Sequence, residues 1–187
     1  WLPTWAEWIA DVFYWIIWIL FRIALYFTMA FLGGSLILIL MSPILTYLSE
    51  QVASKLGKDI PPFSLTQFVV DLTRAIGLGI KNGFIQIALT IACFAISFIP
   101  VVGFISPFLI FGINAYFFGY QFMDYTLERR HLTISESNAF VWSKKFDALS
   151  LGAPFTAWLL IPFIGPMTSG FMAILATVAA TLHLEES

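Results

Sequence analysis

The chain has 187 residues, of which 60% are hydrophobic and only 11% charged, giving a mean hydropathy of +0.91. A soluble fold of this size has too little interior for so much apolar surface, which excludes a free-standing water-soluble domain and a disordered chain. The net charge of −2 lacks the basic footprint of a nucleic-acid binder.

Residues 1–11 place Trp1, Trp5 and Trp8 at helical spacing beside Glu7 and Asp11. Trp favours the membrane interface, where its ring meets lipid and its N–H meets water. The pattern predicts an interfacial lead-in helix, with an aromatic core stripe as the alternative. The start has no basic segment followed by a cleavage site, so it does not read as a signal peptide, and the chain is expected to begin partway through a longer protein. From Val12 to Leu48 the sequence is apolar, interrupted by Arg22, Gly33-Gly34 and Ser42-Pro43. As one helix it would reach roughly 55 Å against a hydrocarbon layer of roughly 30 Å, while two spans would need a polar turn that is absent. One long crossing helix is predicted, with Gly33 and Gly34 permitting close approach or a bend and Pro43 kinking the end. Arg22 is expected to snorkel to an interface or to face a partner or water path.

Residues 49–82 form the first wet stretch, with Glu50, Lys55, Lys58, Asp59, Asp71, Arg74 and Lys81 around a Pro61-Pro62 break. It reads as a helix end, a short loop and an amphipathic helix returning to the bilayer. Asp71 and Arg74 fall on one helix face and are expected to pair locally.

Two similar units follow, about 83–123 and about 149–184. Each has two apolar arms around an uncharged turn, IPVVGFISP in the first and IPFIGP in the second. The arms Gly83–Ile99 and Leu149–Ile161 are about 17 and about 13 residues long, against the roughly 20 needed to cross. Short arms and uncharged turns predict two half-penetrating (re-entrant) helical hairpins. Protein must then shield their tips, because irregular backbone is not tolerated against lipid. Ordinary paired spans with tight apolar turns are the alternative. Apart from Arg22, the basic residues lie in two windows, Lys55–Lys81 and Arg129–Lys145, which the positive-inside rule puts together in the cytoplasm. The predicted fold is an all-α integral membrane protein, a single membrane domain over 1–187.

The densest charged segment is Asp124-Tyr125-Thr126-Leu127-Glu128-Arg129-Arg130. Asp124 and Glu128 share a helix face, and Arg129 or Arg130 can bridge to them or to groups in the 49–82 stretch. An arginine fork also suits an oxyanion or a lipid headgroup, although the adjacent acids compete for it. Arg74, Asp124, Glu128, Arg129 and Arg130 are thus candidates for an anion pathway or for a structural cluster. Gly103, Ser106, Asn114, Thr168 and Ser169 are candidate neutral donors near the hairpins, where helix starts after Pro100 and Pro162 also offer backbone N–H groups. A P-loop, a GxSxG elbow and zinc-ligand spacings are absent. Cys93 is the single cysteine, and His131 and His183 stand far apart. No cofactor, metal or enzymatic activity is expected.

In this order, Ser42-Pro43 with Leu48-Ser49-Glu50-Gln51-Val52, Asp71-Leu72-Thr73-Arg74, Ile99-Pro100…Gly103, Asp124-Tyr125…Glu128-Arg129-Arg130 and Ile161-Pro162…Pro166 resemble the bacterial CysZ sulfate-permease family, which shares a domain with eukaryotic etoposide-induced membrane proteins. The resemblance implies two true spans, two half-penetrating hairpins, and a homo-oligomer in the bacterial inner membrane among its lipids. It also implies inward passage of sulfate or sulfite for cysteine synthesis. The family's first span and sulfate-binding start would precede Trp1. Gly79 stands where glutamate is usual after the Asp-x-x-Arg element, and Thr126 where proline commonly follows Asp-Tyr. Passive anion permeation is the leading function. A non-enzymatic membrane scaffold or remodelling protein is the main alternative. A proton- or sodium-coupled carrier comes third, because the apolar spans carry no acid.

Overall fold

The computed structural model describes residues 4–58, 64–97, 99 and 102–186; side chains at 4–6, 24, 27, 28, 30–32, 35, 67, 71 and 102 lie outside the description. Six α-helices follow in order: α1 Thr4–Lys55, α2 Leu65–Ile96, α3 Ser106–Arg129, α4 Ile134–Ser143, α5 Lys145–Leu159 and α6 Ile164–Glu186, with a 3-10 turn at Val102–Ile105 before α3. Among the described residues there is no strand, and four helices are long and apolar enough to cross a membrane. The protein is an all-α, multi-pass integral membrane protein.

The single long helix expected from Val12 to Leu48 is α1, and it runs on through Pro43 to Lys55 instead of ending there. Glu7 in its first turn and Lys55 in its last complement the helix dipole. Gly57 terminates it at φ +78°, with Gly57 N–H donating to Ser54 O at 3.0 Å and Lys58 N–H to Ala53 O at 3.1 Å. This is a Schellman stop, which needs a left-handed residue and so suits glycine. Trp8 is 69% exposed and Trp15 57%, so the amino-terminal aromatics with described side chains do not line a core. The Trp1 and Trp5 side chains lie outside the described residues. Arg22 stacks its guanidinium 3.6 Å from the centre of the Trp18 ring.

The helices carrying the expected hairpins are longer than the apolar stretches that suggested them. In the first unit α2 starts at Leu65 instead of Gly83 and has 32 residues, while α3 has 24. The second unit keeps unequal arms, with 15 residues in α5 and 23 in α6. Contacts set the directions. Arg74 meets Asp124 and Gln86 meets Asn114, so α2 is antiparallel to α3. Gly34 lies against Phe118 and Ser49 against Thr126, while Met41 lies against Gly170 and Ser49 against Thr181, so α1, α3 and α6 run the same way.

Helix α3 is the centre, packed by α1, α2, α5 and α6. Its run from Phe117 to Glu128 is buried except for Gln121, on all sides and not along one stripe. One core joins Leu38, Leu45, Phe118, Phe122, Phe155, Leu159 and Ala173, with Phe155 edge-on to Phe118 at 4.8 Å and to Phe122 at 5.1 Å. A second joins Leu78, Met123, Leu127, Val141 and Leu184. Close approach between α3 and α5 comes from Gly119 against the Ala148 carbonyl and Gly152 against the Ala115 carbonyl, where a Cβ would collide with backbone. The two glycines expected to permit close approach or a bend divide: Gly34 lies tight against Leu159 and Phe118, whereas Gly33 faces open space, as does Gly112 on α3.

Candidate functional site

The basic windows converge at one end of the bundle, where Lys58, Arg74, Arg129 and Arg130 engage Asp124, Glu128 and Glu185. Two clusters form there. In the first, Arg74 reaches from α2 across to α3 and binds Asp124 through both ends of its fork, Nη1 to Oδ2 at 3.0 Å and Nη2 to Oδ1 at 2.9 Å. Nη2 also donates to Ser137 Oγ at 2.6 Å, Nε donates to the Leu132 carbonyl at 2.8 Å, and Glu128 stands 3.8 Å away. All three charged side chains are at most 12% exposed. A bidentate, desolvated pair of this kind directs the arginine donors inward.

The backbone around this pair is shaped for it. Helix α3 ends with His131 at φ +55°, and Leu132 N–H donates to Leu127 O at 3.2 Å. A second Schellman stop thus turns the Leu132 carbonyl onto Arg74. Helix α4 then starts with a capping box, Thr133 N–H to Glu136 Oε2 at 2.8 Å and Glu136 N–H to Thr133 Oγ1 at 3.3 Å, and brings Ser137 to the same guanidinium. The expected local pairing of Asp71 with Arg74 falls on a side chain outside the described residues; among the described ones Arg74 pairs with Asp124.

The second cluster centres on Glu185, a residue not singled out in the sequence. Arg129 and Arg130 both bind its Oε1, the latter at 3.1 Å, and Lys58 Nζ is 3.7 Å from Oε2. Arg130 also donates to the Leu184 carbonyl at 3.0 Å. Arg129 and Arg130 therefore turn away from Asp124 and Glu128 toward the end of α6. Three cations around one carboxylate leave an excess of positive charge, with Lys58 and Arg130 open to solvent. The Gly57 stop puts Lys58 within reach. The signal available in the sequence was an acid in the last turn of an otherwise apolar helix, where the macrodipole disfavours it unless cations surround it.

The neutral donors are not gathered with these clusters. Gly103 packs against the Ser97 carbonyl and spends its N–H on Ile99 O at 2.8 Å. Asn114 accepts from Gln86 at 2.6 Å and donates to Ile110 O at 2.7 Å. Thr168 donates to Ile164 O and accepts from Trp158 Nε1, and Ser169 donates to Pro166 O. Ser106 is buried with no partner for its Oγ among the described residues. Pro100 lies outside the described residues. The two positions that depart from the resembled pattern have structural uses. A Cβ at Gly79 would come within 2.6 Å of Ile39 on α1, and Thr126 Oγ1 joins Ser49 Oγ at 3.4 Å and Thr181 Oγ1 at 3.2 Å in a buried hydroxyl triangle. Among the described residues no group of three His, Cys, Asp or Glu is placed to hold a metal ion.

Residues 1–168 match the family model described as Sulfate transporter CysZ/Etoposide-induced protein 2.4. Similar curated proteins include the Sulfate transporter CysZ of Pseudomonas syringae pv. tomato, 30% identical over 186 residues that cover 97% of this chain and 70% of the relative. The proteins of the same name from Pseudomonas fluorescens and Pseudomonas aeruginosa are 26% and 25% identical, each covering 87% of this chain and 66% and 67% of the relative. With the helical membrane bundle and the motifs along it, these matches place the chain: it belongs to the Sulfate transporter CysZ/Etoposide-induced protein 2.4 family.

Proposed function

We propose that this protein is a permease that passes sulfate or sulfite inward, passively, across a bacterial inner membrane, working as a homo-oligomer and without catalysing a reaction. The observation that carries the reading is the likeness along 97% of the chain to a protein named as a sulfate transporter. In this reading the Glu185 cluster is where an oxyanion is received, and its charge balance supports that role. In the ion pairs around Glu185 the cations outnumber the acid, and an excess of positive charge at a partly exposed surface concentrates divalent anions. Arg129, Arg130 and Lys58 are the proposed anion contacts, Arg74 with Asp124 and Glu128 the structural lock, and Ser106 a neutral donor deeper in. Glu185 competes with the anion, which keeps binding weak enough for release.

The two units act in this reading as half-depth hairpins with the charged end in the cytoplasm. Supporting this depth, the Phe163 N–H at the tip of the second unit donates to the Tyr26 hydroxyl at 3.0 Å. Helix α1 continues from Tyr26 back to Thr4, about 30 Å at 1.5 Å per residue. That segment exposes Trp8, Phe13, Trp15, Ile17, Leu20 and Phe21. A tip at the far surface would stand this apolar helix in water, at a cost lipid does not impose.

The test is sulfate uptake into liposomes containing the protein. Uptake above that of empty vesicles, unaffected by an imposed proton gradient, is expected. Uptake equal to empty vesicles removes the permease reading and returns the non-enzymatic scaffold.

A further inference from the structure

A groove of about 550 Å³ runs along the outside of the bundle between α2, α3 and α4, and includes neither the Arg74 nor the Glu185 cluster in its lining. Its two ends differ. Toward the hairpin turn its walls are Leu89, Phe108, Leu109 and Ile113, with Gly112 as the floor. Toward the charged end it is bordered by Asn82, Tyr120, Asn138, Trp142 and Lys145. From Phe108 to Tyr120 along α3 the distance is about 18 Å at 1.5 Å per residue. The apolar length does not suit an inorganic anion, which would lose its hydration to aliphatic walls with nothing in return.

The polar end holds groups with capacity left over. Asn82 is 4% exposed, and its amide nitrogen stands beside the Tyr120 hydroxyl without completing a hydrogen bond of full geometry among the described residues. Tyr120 donates to Asn138 Oδ1 at 2.9 Å, which fixes the orientation of that amide. Lys145 opens α5 and is exposed, with its ammonium 5.2 Å from the centre of the Trp142 ring and 5.6 Å from that of Phe146. Among the described residues Lys145 forms no ion pair, unlike Lys58 and Arg74. A lysine beside tryptophan is the pairing expected at the headgroup level of a membrane, with the apolar part of the groove below it.

We infer that this groove is a binding site for one anionic phospholipid, with its phosphate at Lys145, a glycerol-ester carbonyl accepting from the Asn82 amide, and an acyl chain lying over Gly112 between α2 and α3. Lys145 supplies the charge complement, and the Asn82 donor supplies the polar contact that a bare apolar seam lacks. Gly112 supplies room, since a Cβ there would meet nothing within 4 Å. The site makes no use of the Glu185 cluster and stands or falls independently of sulfate transport.

Native mass spectrometry of the detergent-purified full chain tests this with added phosphatidylglycerol, phosphatidylcholine or glycerol phosphate. Phosphatidylglycerol should be retained about fivefold over phosphatidylcholine, the factor worth one basic residue at an anionic surface. Glycerol phosphate alone should leave no adduct. Lys145→Gln, at an exposed helix start, should bring phosphatidylglycerol down to the phosphatidylcholine level. Gly112→Phe, which fills the groove where space exists, should lower retention of both lipids at least fivefold. Equal retention of the two lipids by the unaltered protein overturns the proposal, as does undiminished retention by Gly112→Phe. An adduct with glycerol phosphate alone would also overturn it. So would a Gly112→Phe variant that loses an oligomer peak while keeping its lipid, which would assign the groove to a second copy of the chain.

Discussion

The Arg74 and Glu185 clusters lie at the same end of the bundle and draw on the same short segment of α3, yet their charge balances are opposite. Around Arg74 one cation faces two carboxylates, all buried, with the guanidinium held by Asp124, Ser137 and a carbonyl. Around Glu185 one carboxylate faces three cations, two of them open to solvent. An arginine enclosed in the first manner has little left to offer a passing ion. One sharing a single acceptor with two rivals keeps donors in reserve. Net sign and exposure, not the mere presence of arginine, separate a fastening from a reception point.

Asp124→Ala is the severest way to break this contrast. It leaves the Arg74 charge buried without its main partner, a change expected to cost about 3–5 kcal/mol. Thermal unfolding in detergent should show a large drop, or loss of folded material, and added sulfate should not restore it. An Asp124→Ala protein as stable as the parent would show that the pair is not a fastening. Glu185→Gln has a milder expected cost of about 2 kcal/mol, from weakened charged hydrogen bonds to Arg129. Here sulfate should return more of the lost melting temperature than it adds to the parent, because the anion neutralises cations that have lost their carboxylate. Equal sulfate effects in the two proteins would end the distinction between the clusters. Thr133→Ala is the smallest, about 1 kcal/mol for loss of an N-cap. It loosens the start of α4, which carries Ser137 to Arg74.

The same cap has a pH signature. Hydrogen bonds from the Thr133 N–H and hydroxyl hold the Glu136 carboxyl below its ordinary 4.5. A lowered folded value means that the contribution is present above pH 4.5 and fades as pH falls through the folded value. Acid titration of α4 stability should show that loss in the parent and a weaker one in Thr133→Ala.

Much of this fold was legible because lipid imposes coarse rules. Apolar length marked the helices, Pro and Gly marked the turns of both units, and the two basic windows meet at one end, as their shared side implied. Partner choice was not legible in the same way. Arg74 binds Asp124 fifty positions on, a partner that no local spacing announces, because antiparallel packing of α2 against α3 sets that register. Glu185 carried no motif, and its importance arises only when α1 and α3 both end beside α6. The amphipathic helix expected late in 49–82 and the apolar arm from Gly83 are one continuous helix, α2, a join hidden by the change from mixed to apolar residues. Glycine was the least readable: nothing in the sequence sets Gly119 apart from Gly112, but of the two only Gly119 has a facing helix whose backbone excludes a methyl group.

That last contact limits how the molecule moves. With Gly119 and Gly152 pressed onto opposing carbonyls, sliding α5 along α3 by one residue would drive a side chain into main chain. Any cycle of opening and closing therefore carries these two helices together as one rigid block. The displacement falls to the seams where one neighbour presents only a flexible side chain, such as Ile39 of α1 against Gly79 of α2, whose isoleucine rotamer can change without moving backbone onto backbone.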